Sequence, residues 1–412
     1  MPRRRVMITG MGLLSPHGDD PEDVFRRVCA GESAIRRFHL EAEGREMDAL
    51  LARPEWAPAA ELTPLQMVAM DPAAQMGFLA GSRALAQAGL VGAEALLRDA
   101  GLYFGASFGG ASLDGVFEVF YDKKSRRVKP GTVARIMPNA VTAHLSMAHG
   151  IQGPACTYSV ACATSAMAVG EAFRAIRDGY LDCAVVGGTQ ATATHAWISA
   201  WSTMAVLARE HPDGPEASVR PFDAARTGFA LGEGAAALVL ESEERARSRG
   251  AQPLAELAGY GCSSDAFNIT RPSLEGQVRC MADTLADAGV APEAVGYVNA
   301  HATATRVGDV VEIAAVKELF GDHARRLAIS ATKSMHGHLI EAAGALELAL
   351  TVMAVRRGHL PPTANLTDPD PECDLDCVPG TGRAAPDLEW AMSNSFAFGG
   401  TNVSLLVRRA DG

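Results

Sequence analysis

No feature constrains this chain more than the change of period across Tyr158-Ser-Val-Ala-Cys162-Ala-Thr-Ser-Ala-Met-Ala-Val-Gly170. The apolar run Tyr158 to Ala161 reads as a buried strand. After it, Ala166, Val169, Phe173 and Ile176 recur at the spacing of one helix face. Gly179 ends that helix, and Cys183 to Gly188 reads as the next strand. Strand, tight turn, helix and strand in succession call for an α/β layout, and the turn carries Cys162. Free backbone N–H groups and the positive end of a helix dipole favour a thiolate there. The same N–H groups can hold a developing oxyanion. The plainer reading of Cys162 is a small buried thiol.

The same device returns later. Val6-Met-Ile-Thr-Gly-Met-Gly12 and Leu254-Ala-Glu-Leu-Ala-Gly-Tyr-Gly261 are each a strand ending in Gly-x-Gly, and a helix follows each, over 21–30 and 275–289. Val295 to Ala300 is a strand that delivers His301. Leu327 to Ser330 leads through Thr332-Lys-Ser-Met-His-Gly-His338 into a helix with Ala342, Ala345, Leu346, Ala349, Leu350 and Met353 on one face. Trp390 to Met392 and Val403 to Val407 flank the turn Asn394-Ser-Phe-Ala-Phe-Gly-Gly-Thr-Asn402. Two halves in matching order, 1–250 and 251–412, imply a duplicated unit. Between these elements, 40–65 reads as irregular, Asp71 to Ala88 as a long helix, and 131–150 as one helix with Val133, Ile136 and Val141 inward.

With 412 residues, 48% of them hydrophobic, the chain can bury a large core. Its net charge of −11 argues against nucleic acid as a partner. There is no leader pattern and no apolar stretch long enough to span a bilayer. The eight scattered cysteines fit reduced thiols in a cytoplasmic protein. Gly10-x-Gly12 lacks the third glycine and the distal acid of a dinucleotide site. Lys123-Lys-Ser-Arg-Arg-Val-Lys129 is the one dense basic run; it reads as a solvated face or as a dock for an acidic partner.

In a parallel α/β layout the strand ends gather on one edge, where ligands bind. Cys162, His301, Lys333 and His338 all follow strands closely. A thiolate with two imidazoles and a lysine fits acyl transfer through a thioester. Two neutral imidazole N–H groups can stabilise an enolate, as decarboxylation of a malonyl thioester requires. A cysteine protease needs neither the second histidine nor the lysine. A metal on His301, His336 and His338 is disfavoured by the glycine-rich, carboxylate-poor surroundings.

On four motifs the chain resembles the β-ketoacyl-[acyl-carrier-protein] synthases of the elongating Cys-His-His type, in the thiolase superfamily. They are Ala161-Cys-Ala-Thr-Ser-Ala166, Asn299-Ala-His-Ala-Thr-Ala-Thr305 with Gly308-Asp309, Thr332 to His338, and Asn394 to Asn402. The resemblance implies a thiolase-like layered αβαβα fold of two similar fused halves. It implies Cys162 as the acyl-accepting nucleophile, and His301 and His338 as the groups that promote decarboxylation. By the same resemblance Lys333 would organise the histidines, with Glu312 as its partner and Asp309 in support. The resemblance also implies an oxyanion hole from the backbone N–H groups of Cys162 and Phe398, with Phe398 gating the acyl pocket. Thr303 and Thr305 hold the phosphopantetheine arm of the substrate. No redox cofactor is required, and Asn299, Glu347, Ser393 and Asn394 match positions that hold a structural Na+ or K+ in some relatives. The partner so implied is an acidic acyl carrier protein, docking on Lys123, Lys124, Arg126, Arg127 and Lys129. The assembly implied is a homodimer, or a heterodimer with a subunit resembling a chain-length factor.

The chain departs from that family in several places. Ala302 and Ala397 stand where glycine is common, and Ala397 would stiffen the gate if its position required φ > 0. Bulky Phe108 and Trp201 fall where relatives line the acyl pocket, which implies a narrowed or reshaped pocket. Arg306 replaces a common proline beside the pantetheine threonines. Two further readings stand beside the condensing enzyme. A biosynthetic thiolase would carry a second cysteine near its C-terminus, where this chain has Phe396 and Phe398. A pocket-shaping partner subunit would lack the nucleophile.

Overall fold

The computed structural model describes residues 3–42, 44–107, 110–122, 128–191 and 193–410. Ten strands form its main sheet: β1 (Val6–Leu14), β2 (Gly101–Gly105), β3 (Ala155–Tyr158), β4 (Cys183–Gln190), β5 (Gly234–Ser242), β6 (Ala255–Ser264), β7 (Val295–Asn299), β8 (Ala328–Ser330), β9 (Trp390–Phe396) and β10 (Thr401–Arg408). Their order is β8-β7-β9-β10-β6-β1-β5-β4-β2-β3. Read outward from the centre, the first half runs β1-β5-β4-β2-β3 and the second β6-β10-β9-β7-β8. Strand for strand this is the same path. The pairing sense matches too, with the two outer pairs of each half parallel and the rest antiparallel. The halves join through a short antiparallel ladder, Val6 to Ile8 against Ala255 to Leu257. The duplicated thiolase-like unit expected from the sequence is therefore present as topology.

Helices complete the layers. α1 (Pro72–Gln87) covers the outer face of β1, β5 and β4, and α3 (Leu274–Ala288) covers β6 and β10, with α4 (Gly308–Phe320) packed beside it. Between the half-sheets lie α2 (Thr164–Arg177) and α5 (Ala343–Arg357), each touching strands of both halves. A helix enclosed on all sides reads as apolar all round, and Ala343 to Val355 is buried throughout. Ala166, Val169, Phe173, Ile176, Leu346, Leu350 and Met353 join the strands in one core.

The two Gly-x-Gly pairs do not end their strands, as was expected, but lie inside β1 and β6, where they serve packing. A Cβ at Gly10 or Gly12 would lie 2.4 or 2.1 Å from carbonyl oxygens of α1, and at Gly259 or Gly261 2.6 or 2.2 Å from those of α3. Each pair lets a helix lie directly on its strand, a packing role that needs no nucleotide.

Three local expectations fail for identifiable reasons. Residues 35–52 are no loop. Ile35–Ala42 and Arg45–Ala52 form a hairpin turning at Gly44 (φ +70°), and Leu51 and Ala52 pair with Leu231 and Gly232. The helix expected over 131–150 breaks at Met137-Pro138 into Thr132–Ile136 and Ala140–His149, because proline pushes its predecessor out of helical geometry. Val133 is consequently 77% exposed. The strand before Cys162 ends at Tyr158 rather than Ala161. All eight cysteines are free, and no helix among the described residues is long and apolar enough to cross a membrane.

Candidate active site

Cys162 sits in a 3₁₀ turn, Ala161–Ala163, between β3 and α2. Ala161 has φ +50°, so the chain reverses sharply there. The Val160 N–H donates to Thr164 Oγ1 at 2.7 Å and fixes the turn. The thiol is buried and accepts from the backbone N–H groups of Phe398 and of Cys162 itself. Burial pushes its pKa up to about 12, against the lowering effect of Lys333 and of those two N–H groups. A helix terminus is worth about 0.3–2 kcal/mol, whereas full desolvation shifts a pKa by up to about 3–5 units. Burial thus favours the thiol over the thiolate expected from the helix.

His301 follows β7, and its backbone is clamped by α4. Glu312 accepts the N–H groups of His301 at 2.9 Å and of Ala302 at 2.8 Å, and also the Asn394 amide at 3.1 Å. His338 is held from the other side. Its N–H donates to Ala230 O and its carbonyl accepts from the Gly232 N–H, both at 2.8 Å. The Ile340 N–H donates to His338 Nδ1 at 3.3 Å. That bond requires the lone pair on Nδ1 and so places the proton of the neutral ring on Nε2. His338 Nε2 is buried and has no partner among the described residues, and the same is true of His301 Nδ1. The rings stand at 80° with centroids 5.4 Å apart. One atom from each of Cys162, His301 and His338 lies within 4.8 Å of the other two. Burial and the Lys333 charge hold both imidazoles well below the ordinary value of 6.5, and therefore neutral.

Lys333 is paired with Glu347 at 2.5 Å, both fully buried. The expected partner, Glu312, is spent on backbone N–H groups instead. Those two bonds set where His301 stands, so Glu312 supports the site by a different route. Burial pushes the Glu347 carboxyl toward neutrality and the ammonium opposes this. His336 turns away, toward Gly337 O and Thr332 Oγ1. At the candidate cation position Asn299 Oδ1 accepts from Thr332, Asn394 Oδ1 accepts from Ser404, and Glu347 Oε1 holds Lys333. Ser393 is buried among them. Of these side chains Glu347 alone bonds Lys333, and its Oε2 is buried without a partner among the described residues.

A cleft of about 960 Å³ leads to Cys162, His301 and His338. Thr303 and Thr305 line it, their hydroxyls 3.2 Å apart, with Ala304 at φ +57° between them. Arg226 fastens this loop from behind, donating to Thr305 O at 3.0 Å and Arg306 O at 2.7 Å, with Asp370 as its counter-charge. Asp309, raised to about 7 by burial, accepts from the Phe222 N–H and helps anchor the same segment. Aromatic rings form a second wall. Trp201 stacks on Phe398 at 6.3 Å and meets Phe229 edge-on, and Phe229 abuts His338 at 5.1 Å. Neither Ala302 nor Ala397 has positive φ, so the methyl groups there cost no backbone strain.

Arg226 and the role of Glu347 were not foreseen; Arg226 lies far in sequence from the loop it holds, and Glu347 and Glu312 stand at similar sequence separations from Lys333. Nor were Arg209 and Arg271, which with Arg306, noted above beside the pantetheine threonines, are exposed on the cleft lining with no partner for their guanidinium groups among the described residues. Lys129 is exposed and does not line the cleft. Phe108, Lys123, Lys124, Arg126 and Arg127 lie outside the described residues.

Residues 3–246 match the family described as beta-ketoacyl synthase, N-terminal domain, and residues 254–367 its C-terminal domain. The chain is 37% identical to a 3-oxoacyl-[acyl-carrier-protein] synthase 2 of Coxiella burnetii (strain RSA 493 / Nine Mile phase I), over 99% of each chain. It superposes on the ishigamide ketosynthase/chain length factor with a TM-score of 0.91 and 32% identity, covering 99% of this chain and 100% of that one. A type II polyketide ketosynthase solved with its acyl-carrier protein and bound to the hexaketide gives 0.90 at 25% identity, with the same coverage. With the duplicated sheet and the thiol–imidazole–imidazole centre already in place, these matches make the chain a member of the β-ketoacyl synthase family of condensing acyltransferases.

Proposed function

We propose that Cys162 carries the acyl group, and that His301 and His338 serve the decarboxylation and condensation that extend it. The activity is that of a 3-oxoacyl-[acyl-carrier-protein] synthase. The observation that carries this assignment of roles is one thiol and two neutral imidazoles converging at the end of a cleft. In the first stage the Cys162 sulfur attacks the thioester carbonyl of an acyl-carrier. The oxyanion takes the N–H groups of Cys162 and Phe398. The thiol proton passes through His301, whose ring has no hydrogen-bond partner among the described residues, to the departing pantetheine thiol. In the second stage malonyl-carrier loses CO2, and its enolate oxygen takes the Nε2–H of His338. The carbanion attacks the acyl-Cys162 carbonyl. Collapse of that adduct releases a 3-oxoacyl-carrier two carbons longer and Cys162, whose sulfur regains a proton from solvent through His301. A neutral donor suits this step, because it stabilises the enolate without quenching the carbanion.

The arm of the substrate is placed along Thr303 and Thr305. Arg209, Arg271 and Arg306 supply positive charge for the arm's phosphate and for an acidic carrier surface. The working unit in this reading is a dimer of the chain. β3 ends the sheet with one open edge, and Phe117, Phe120, Tyr121 and Val133 are exposed elsewhere on the same half.

The test is intact-protein mass after incubation with acyl-carrier donors. The wild type is expected to gain the acyl mass and lose it when malonyl-carrier follows. Cys162→Ala is expected to gain nothing. Acylation that survives in the alanine variant would refute the role given to Cys162.

A further inference from the structure

The reaction described above leaves one buried acid without a task. Glu341 lies in the 3₁₀ turn Ile340–Ala342, between His338 and α5. This turn packs against the Ala161–Ala163 turn, and Ile340 shares an apolar cluster with Cys162, Leu51, Ile198, Phe229 and Leu231. Ile340 holds φ +41°, a costly conformation for a β-branched residue, and such strain gathers at working sites. Glu341 is only 9% exposed and forms no ion pair among the described residues. The Ser107 hydroxyl bonds its carboxyl, but Oε2 is buried and has no partner. Burial favours the neutral acid, and a negative charge here would also oppose a Cys162 thiolate. A buried carboxyl oxygen left unpaired is unfavourable until something bonds to it.

Its position suggests what does. Cys162 lines the cleft, whereas Glu341 and Ser107 do not. The carbanion arrives through the cleft, and the carbonyl oxygen is turned to the N–H groups of Cys162 and Phe398. The acyl chain, the remaining substituent, must leave the incoming path clear. The turn that carries Glu341 packs directly against the turn of Cys162 and off the cleft lining, and we place the chain on that side.

We propose that Glu341 is a specificity-determining residue: its unpaired carboxyl oxygen bonds an oxygen of the acyl chain on Cys162, so that oxo- or hydroxyacyl groups load in preference to saturated alkyl groups of equal length. A neutral carboxyl can donate to a ketone and accept from a hydroxyl, so both classes suit it. The inference rests on Cys162 being the acyl carrier.

Initial acylation rates, followed by intact mass with octanoyl-, 3-oxooctanoyl- and 5-oxooctanoyl-carrier, test it on the wild type, Glu341→Gln and Glu341→Leu. The wild type is expected to load an oxo donor at least about tenfold faster than octanoyl. Glu341→Gln, which still hydrogen-bonds, should keep most of that preference. Glu341→Leu should lose it through faster octanoyl loading, and Glu341→Ala replaces it if leucine prevents folding. A ratio unchanged between wild type and the leucine or alanine variant overturns the proposal, as does a wild type without preference. No acylation of the wild type by any donor would instead overturn the role given to Cys162, and this inference with it.

Discussion

Cys162 shows how a magnitude decides between two sound arguments. Its turn offers N–H groups and a helix terminus, which favour the anion, but burial outweighs both. The rate of alkylation of Cys162 by iodoacetamide should therefore keep rising beyond pH 9. A plateau near neutrality would show a preformed thiolate. The histidines follow the same logic with opposite sign. Below 6.5 the unfolded chain takes up protons that the buried, neutral His301 and His338 refuse. Stability should thus decline as pH falls from about 6.5, read as a lower urea midpoint. Lys333 contributes to that refusal and is itself balanced by Glu347. Lys333→Met should cost about 3 kcal/mol, because it leaves a buried acid unpaired, and Lys333→Met with Glu347→Gln should cost less. Urea unfolding of the two variants distinguishes them.

At the scale of elements, the loop Thr303-Ala304-Thr305 presents the substrate arm but is positioned by Arg226, from a turn far away in the sequence. Arg226→Lys would keep the charge beside Asp370 and lose the bonds to Thr305 O and Arg306 O. Steady-state kinetics should show KM for malonyl-carrier rising about tenfold with kcat less affected, the equivalent of one or two hydrogen bonds. An unchanged KM would show that the loop holds its own shape. Such long-range fastenings mark the limit of what was legible in the sequence. The strand–turn–helix units, the core faces of α2 and α5 and the cluster of Cys162, His301 and His338 were all readable, because periodicity and motif are local. The partner of Lys333 was not: Glu312 and Glu347 are both acids on helices near the site, and only the packing of α5 between the half-sheets decides. Nor was the hairpin at 35–52, whose pairing with Leu231 and Gly232 is tertiary. Met137-Pro138 carried a signal for a break that helical periodicity on either side concealed.

For the whole molecule, the open edge of β3 and the exposed apolar side chains of the first half set an expectation about assembly. Light scattering at falling concentration should give twice the 43.2 kDa mass of the chain. A monomer at micromolar concentration would mean that the edge is left for a different partner.

The matched strand paths have one more consequence. Cys162 lies between β3 and α2, and His338 lies between β8 and α5, which is the same station in each copy of the unit. A lone unit could bring two such turns together only by meeting itself, and both would then be identical. Tandem fusion removes that constraint. It lets one turn become the bearer of the cargo and the other its proton manager, two trades that a single inherited loop could not have practised at once.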